Sequence, residues 1–262
     1  MSRIYTNDNA NAVYLNYSRN QMAMGESMAK LSSGLRINHA SDDASGLAIS
    51  EALRGNIKGT GQALDVIANA NSYINTADGY LQNAHDILGR MEQLAVEAGD
   101  STKSASDKTN IKTEYDALAG QITSIGTTSK FNGQAIFTAA AQAFTVDAQG
   151  TQFSVTTGTV AGPAAMVAGS NGTAELGLVQ AMIGTVSAQR ASLGAAQSQL
   201  NFISSGQQNY QNNVSAAESR IRNVDVAQET TNFSRSQILV QASTAMLSQA
   251  NSVPQSVLKL LQ

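Results

Sequence analysis

Few residues in this 262-residue chain have a type and spacing that could support catalysis or metal binding. His39 and His85 are the only histidines, and neither has partners at the offsets that a metal site or a nucleophilic triad would need. Asp42 and Asp43 could together hold a cation, but short carboxylates directly before an apolar stripe more often cap a helix. The glycines form neither a phosphate-binding loop nor a dinucleotide fingerprint. We therefore predict no catalytic, metal or cofactor site and no enzymatic activity.

The composition favours a structural protein with an uncharged surface. Hydrophobic residues make up 42% of the chain, whereas charged residues make up only 13%, about half of the usual share. Much of the rest is Ala, Ser, Thr, Asn, Gln and Gly, which let helices approach closely without burying ions. We expect such a surface to pack against identical subunits.

Charge and hydropathy argue against nucleic acid and membrane as partners. The net charge is −3, which leaves no basic patch for nucleic acid or an anionic membrane. No window approaches the roughly 18 apolar residues of a spanning helix, and the N-terminus lacks the apolar region of a signal peptide. The chain has no Cys, which excludes a disulfide framework. If the protein leaves the cell, we expect a route that does not need such a signal.

The strongest periodic signal is a heptad stripe from Ala63 to Ala95. Apolar residues recur there at alternating spacings of four and three, and small residues alternate with large ones. This pattern is typical of a seam between closely packed helices. Extended back to the capping residues Ser41–Asp43, the stripe predicts one helix of about fifty residues beginning near Ala44.

Two further stripes predict helices that pack on the first. One runs from Val179 to Val224 and is interrupted by Gln189 and Gln207, and a shorter one runs from Ile111 to Ile125 after a Ser104–Asp107 cap. The three helices need one another to bury their stripes. We assign the seam between them to Ile67, Ile74, Leu81, Leu88, Leu193, Leu200, Ile203 and Val214.

The two ends of the chain carry thinner apolar stripes. An isolated helix with so thin a stripe is poorly stable, because nucleation is costly and most helix stability comes from a packed face. We therefore predict that each end folds on meeting a partner and that the ends carry an assembly function. The residues assigned to this contact are Val13, Tyr17, Met24, Met28, Leu31, Leu239, Ala242, Met246, Val253, Val257 and Leu260.

Between about Lys130 and Gly172 the helical period is lost. Alternating apolar residues around Phe144 and Phe153 flank the turn Asp147–Gly150 and predict a β-hairpin. Two strands are too few for independent stability and must lie on the helices. The predicted fold is mainly α, a long antiparallel helical coiled coil or bundle forming a rod, with a small β-hairpin region at its tip.

Stretches near both ends resemble the signature sequences of bacterial flagellins. Their joint occurrence, in order and near the termini, is more specific than any single motif, and the resemblance covers about residues 1–137 and 176–262. The stretches that carry it are Leu31–Asn38, Asp42–Ile49, Ser219–Ile221, Asp225, Ser234–Leu239 and Gln249–Leu258.

The resemblance implies a structural subunit that polymerises into the extracellular bacterial flagellar filament for swimming motility. The partners that it implies are further copies of the chain, the flagellar export apparatus and its chaperone, the filament cap and the hook–filament junction proteins. The implied domains are an N-terminal inner-core helix with a connector (1–43), the first long helices of a shell domain (44–129), a β-hairpin with a shortened variable region (130–175), the C-terminal long shell helix (176–224) and a C-terminal inner-core helix (225–262). The alternatives are a hook–filament junction protein and a monomeric helical adaptor or effector.

Flagellins of several bacteria are also bound by an innate immune receptor of the host. Glu92 and Gln93 depart from the receptor-binding pattern, replacing a basic and an acidic residue, and the reversal at Glu92 can turn attraction into repulsion. The alternative is that Arg90 and Glu114 are ordinary solvated helix charges. The residues that match the pattern are Arg90, Leu94, Ala95, Val96 and Glu114.

Overall fold

A computed structural model describes residues 7–170 and 172–260, apart from the side chains of residues 253–260. The described chain has five helices: α1 (Asp8–Ser33), α2 (Ala44–Ala98), α3 (Ala105–Thr128), α4 (Thr173–Arg222) and α5 (Val226–Leu260). Its four strands are β1 (Lys130–Phe131), β2 (Gln134–Ala135), β3 (Gln142–Thr145) and β4 (Gln152–Val155), which form two antiparallel pairs. The predicted mainly α fold with a small β region is confirmed.

The chain forms two compact units, which we call the terminal unit and the central unit. The terminal unit combines both ends of the chain, residues up to 55 and from 213 onward, and the central unit comprises residues 56–212. Both units therefore take residues from the long helices α2 and α4.

Helix starts follow the predicted capping residues. The Asp43 carboxylate accepts a hydrogen bond from the Gly46 amide at 2.8 Å, and α2 begins at Ala44 as predicted. At α3, Ser104 and Asp107 form a reciprocal capping box, in which each side chain binds the other's backbone amide. Such caps satisfy amides that have no partner within the helix. Short polar side chains thus set where these helices begin.

The core of the central unit is built on the heptad stripe of α2. Every stripe residue from Ala63 to Ala95 is at most 3% exposed. α3 adds Ile111, Tyr115 and Ile122, and α4 adds a buried residue every seventh position, namely Val179, Val186, Leu193 and Leu200. The buried residues of the three helices therefore form one hydrophobic core, and their spacing is that of a coiled coil.

Polar side chains show that α2 and α4 run antiparallel in the central unit. Residues with higher numbers on α2 pair with residues with lower numbers on α4. The pairs are Asn71 with Asn201, Asn75 with Gln197, Asp78 with Arg190 and Glu92 with Gln180, at 2.7–3.4 Å.

The two strand pairs lie against α2. The β1–β2 turn uses Asn132 and Gly133, both with positive φ, and β3 pairs with β4 so that Phe144 stands opposite Phe153. The ring of Tyr73 on α2 lies 5.7 Å from the rings of both Phe131 and Phe144. The predicted hairpin is therefore present, and helix α2 supplies the support that two strands need.

Candidate assembly surfaces

In the terminal unit, α1 and α5 pair antiparallel. The Asn7 side-chain amide donates to the Ala250 carbonyl at 2.9 Å, and that of Asn20 donates to the Ser243 hydroxyl at 3.3 Å. The chain between α1 and α2 bridges to the end of α4, where Leu35 pairs with Asn223. Residues near the two ends of the sequence thus contact each other directly.

Four of the five predicted assembly residues on α1 are half-buried. These are Val13, Tyr17, Met24 and Leu31, whereas Met28 is 53% exposed. The only fully buried position on α1 is Ser27. The apolar stripe of α1 is therefore partly covered within a single chain.

The predicted assembly residues on α5 lie mostly at the surface. Leu239 and Met246 are 43% and 58% exposed, and Ala242 is also exposed. Instead, Val240 and Leu247 are half-buried, one residue further along. The side chains of Val253, Val257 and Leu260 lie outside the described residues.

Other large apolar side chains of this pair are exposed too. Clustered exposed apolar surface of this kind marks interaction sites. The exposed side chains are Tyr14, Leu15 and Met22 on α1 and Ile238 on α5, each more than half exposed.

The connector between α1 and α2 is held by hydrogen bonds to the end of α4. The Arg36 guanidinium donates twice to the Ile221 carbonyl, at 2.7 and 3.2 Å. The Asp42 carboxylate accepts from the amides of Asn38 and His39, both at 2.9 Å, and these bonds lower the pKa of Asp42. Asp42 therefore braces this turn, as Asp43 caps α2. Within the part of the chain that the structure describes, no three acidic or histidine side chains gather as a metal site, and no helix is long and apolar enough to span a membrane.

The predicted seam residues lie inside the helical packing. Ile67, Ile74, Leu81, Leu88, Leu193 and Leu200 are 0–1% exposed, and Ile203 is half-buried. Val214, which belongs to the terminal unit, is 9% exposed.

Residues 173–212 of α4 contain only two side chains that are charged at neutral pH. Glu175 is 3% exposed, and Arg190, whose side chain is 33% exposed, binds Asp78 at 2.7 Å. The exposed positions are mainly Ala, Gly, Ser, Asn and Gln, together with Phe202, which is 77% exposed. A surface helix of a monomeric protein is usually rich in charge.

Only three of the five residues predicted to contact the receptor are exposed in the structure. Arg90 and Glu114 form an exposed ion pair at 2.7 Å, and Val96 is 60% exposed. Leu94 and Ala95 are each only 1% exposed because they belong to the core of the central unit. These two side chains are therefore not available to a partner of the folded chain.

Comparison with known families matches both ends of the chain. The family described as the bacterial flagellin N-terminal helical region matches residues 4–142, and the bacterial flagellin C-terminal helical region matches residues 173–261. Together the two matches cover most of the chain.

Individual relatives align over nearly their full length. The flagellar filament 33 kDa core protein of Treponema phagedenis is 37% identical, over 92% of this chain and 93% of that protein. The flagellin of Bacillus subtilis strain 168 is 38% identical, over 94% of this chain and 95% of that protein. A crystal structure of Bacillus cereus flagellin, at 23% identity, covers 55% of this chain and 86% of its own, with a TM-score of 0.47.

Proposed function

We infer the function of this chain from its family: it belongs to the bacterial flagellins and is a structural subunit that polymerises into the flagellar filament. The observation that carries this conclusion is the match of both terminal helical regions, at residues 4–142 and 173–261. Relatives aligned over nearly the whole chain are themselves named flagellin or flagellar filament core protein. We further propose that the filament is extracellular and serves swimming.

Neighbouring copies cover the apolar side chains that the α1–α5 pair leaves exposed. Met28, Leu239 and Met246 are each more than 40% exposed in the single chain, and burying a large apolar side chain contributes about 1.5–3 kcal/mol. Contacts that do not close into a ring generate an open helical polymer. The α1–α5 pair then supplies the inner core of the filament.

The uncharged face of α4 packs against neighbouring shells. Because Arg190, the only partly exposed charged side chain on residues 173–212, is paired with Asp78, a second copy can cover this face without burying an unpaired ion. Phe202, at 77% exposure, is the largest apolar side chain offered there. The proposed division into an inner core (1–43 and 225–262) and a shell (44–129 and 176–224), with the reduced region 130–175 between the shell segments, assigns one layer of the filament to each surface.

Other partners follow from a filament that grows outside the cell. Subunits would need the flagellar export apparatus and a chaperone, a filament cap at the growing end and hook–filament junction proteins at the other. A host innate immune receptor would contact Arg90, Val96 and Glu114, since these matching residues are exposed.

Seeded polymerisation tests the function directly. Purified full-length protein, mixed with filament fragments, should elongate into micrometre filaments in electron micrographs, whereas a monomeric adaptor would stay dispersed. Deletion of residues 253–262 should leave a folded central unit that does not polymerise. Normal filaments from this truncation would contradict the role given to the ends.

Circular dichroism tests how the ends order. If α1 and α5 are stabilised mainly by neighbouring subunits, helix content should rise on polymerisation, because thin stripes stabilise isolated helices poorly. Equal helix content in monomer and filament would show that the α1–α5 pair is already formed in the free subunit.

A further inference from the structure

Every exposed methionine of the described chain lies on the α1–α5 pair. Met22 and Met28 on α1 are 64% and 53% exposed, and Met246 on α5 is 58% exposed. The unbranched thioether side chain of methionine adapts to the shape of a partner, and methionine is common at binding surfaces for this reason. These three residues belong to the apolar surface that neighbouring copies cover under the proposed function.

The other methionines of the described chain are partly or fully covered. Met91 and Met166 belong to the core of the central unit and are 0% and 3% exposed. Met24 on α1 and Met182 on α4 are half-buried. A buried side chain meets a dissolved reagent only when the structure around it opens. A reagent for methionine sulfur therefore reaches the α1–α5 pair before it reaches the core of the central unit.

Hydrogen peroxide is such a reagent, and it oxidises a thioether in one balanced step. A lone pair of the methionine sulfur attacks one peroxide oxygen, the S–O bond forms and the O–O bond breaks. The departing hydroxide takes the proton of the transferred oxygen and leaves as water, so that sulfur is oxidised and peroxide is reduced. The product, methionine sulfoxide, is polar and chiral, disrupts interfaces rich in methionine, and is returned to methionine by sulfoxide reductases.

We propose that Met22, Met28 and Met246 are sites of reversible oxidation by peroxide, and that their oxidation state controls whether the subunit assembles. The inference rests on the proposed function, because neighbouring copies cover these side chains in the filament. In the free subunit the three sulfurs are open to peroxide, and their sulfoxides make the surface of the α1–α5 pair polar. The loss of one buried apolar side chain weakens an association about tenfold or more. Oxidised subunits therefore stay unassembled, while the core of the central unit keeps its thioethers.

Seeded polymerisation after mild peroxide treatment tests this control of assembly. Full-length subunits treated with hydrogen peroxide should show a critical concentration about tenfold or more above that of untreated subunits. Treatment with methionine sulfoxide reductases should restore the original value. Equal polymerisation of treated and untreated subunits would overturn this inference alone. If untreated subunits do not elongate the seeds, the proposed function fails, and this inference fails with it.

Variants that resist oxidation identify the sulfurs responsible. Leucine is close to methionine in volume and has no thioether, so Met→Leu changes packing little. The variant that combines Met22→Leu, Met28→Leu and Met246→Leu should polymerise like the parent chain, both before and after peroxide treatment. The matched control Met182→Leu removes a half-buried methionine of the central unit and should stay as sensitive to peroxide as the parent chain. Sensitivity that persists in the triple variant, or that is lost in Met182→Leu, would assign the effect to other residues and refute the proposal.

Mass spectrometry of peptides locates the oxidised sulfurs directly. In the free subunit, Met22, Met28 and Met246 should be oxidised about tenfold faster than Met91 and Met166, because the buried pair reacts only after local opening. In assembled filaments the three exposed methionines should be oxidised more slowly by a similar factor, since neighbouring copies cover them. Oxidation at the same rate in subunit and filament would place these side chains outside the subunit contacts, against the proposal.

Discussion

The central unit and the terminal unit both pair long helices antiparallel, but they differ in what lies between the helices. In the central unit, the whole stripe of α2 is at most 3% exposed. In the terminal unit, Ile37 and Val214 are the only buried apolar residues among the described side chains. One unit is thus complete within a single chain, and the other leaves apolar surface for a partner.

This difference separates two tasks that one subunit must perform. A packed core keeps the central unit folded at any protein concentration, because the contacts of that core are intramolecular. An incompletely buried helix pair gains stability only by mass action, when neighbouring copies are present. The same helical chemistry can therefore specify a permanent fold in one region and a conditional one in another.

We expect the largest difference between the two units when a leucine is replaced by alanine in each of them. Leu88→Ala in the central unit removes a side chain that is 0% exposed and should destabilise the monomer by about 2–5 kcal/mol, because it leaves a cavity. Leu239→Ala in the terminal unit should change monomer stability by about 0.5 kcal/mol or less. Denaturant unfolding of monomeric protein measures both, and similar losses would contradict the comparison.

A second test asks whether exposed apolar residues of α5 matter in the polymer. Leu239→Ser should raise the critical concentration for polymerisation about tenfold, since the buried side chain would contribute about 1.5 kcal/mol or more. Gln241→Ser, at a neighbouring exposed position, is the control and should change it little. If both variants polymerise like the parent chain, Leu239 does not lie in a subunit contact.

The acid response of the central unit gives a smaller effect. The pKa of Glu175 lies below its ordinary value of 4.5 in the folded protein. Its stabilising contribution is therefore complete above pH 4.5 and is lost as the pH falls through the lowered folded value. Unfolding free energy measured against pH should drop more steeply below pH 4.5 in the parent chain than in Glu175→Gln, by about 1 kcal/mol. Parallel curves would show that this carboxylate does not stabilise the central unit.

The smallest expected effect concerns the ion pair between α2 and α4. Asp78 and Arg190 are partly exposed, with side chains 42% and 33% accessible, so their coupling should be about 0.2–1 kcal/mol. A double-mutant cycle with Asp78→Asn and Arg190→Gln measures it in unfolding experiments. A coupling of several kcal/mol would mean that polar pairs, rather than the apolar stripe, hold the central unit together.

The heptad stripe of α2 could be predicted in full, for a simple reason. A spacing of four and three puts Ala63 to Ala95 on one side of a helix, and that side is too long and too apolar to face water. The helix caps at Asp43 and Ser104 could also be predicted, because short polar side chains directly before a helical stripe are typical of N-caps.

The terminal helices were harder to predict because their contacts are partly polar. Counting apolar residues on α5 selects Leu239, Ala242 and Met246, whereas Ser243, one residue beyond Ala242, receives the hydrogen bond from Asn20 at 3.3 Å. A stripe that includes serines gives no clear hydrophobic period. The face of α5 that contacts α1 therefore includes polar side chains, and a hydrophobic pattern does not identify them.

The burial of polar residues has no signature in the sequence. In the sequence, Glu175 resembles an ordinary acidic residue in the first turn of a helix, where its negative charge would interact favourably with the helix dipole. In the structure it is buried, and its carboxylate accepts a hydrogen bond from the Val167 amide at 3.1 Å, a contact that no local pattern predicts. Leu94 and Ala95 show the same limit, since a family pattern places residues on a surface without saying what covers them.

The α1–α5 pair also has a kinetic consequence. Asn7 and Ala250 are 243 residues apart in sequence, so this contact cannot form until a ribosome has added all of the residues between them. Contacts of such long sequence separation form slowly. During synthesis, α1 therefore spends a long interval without its intramolecular partner, and in that interval its apolar stripe stays uncovered.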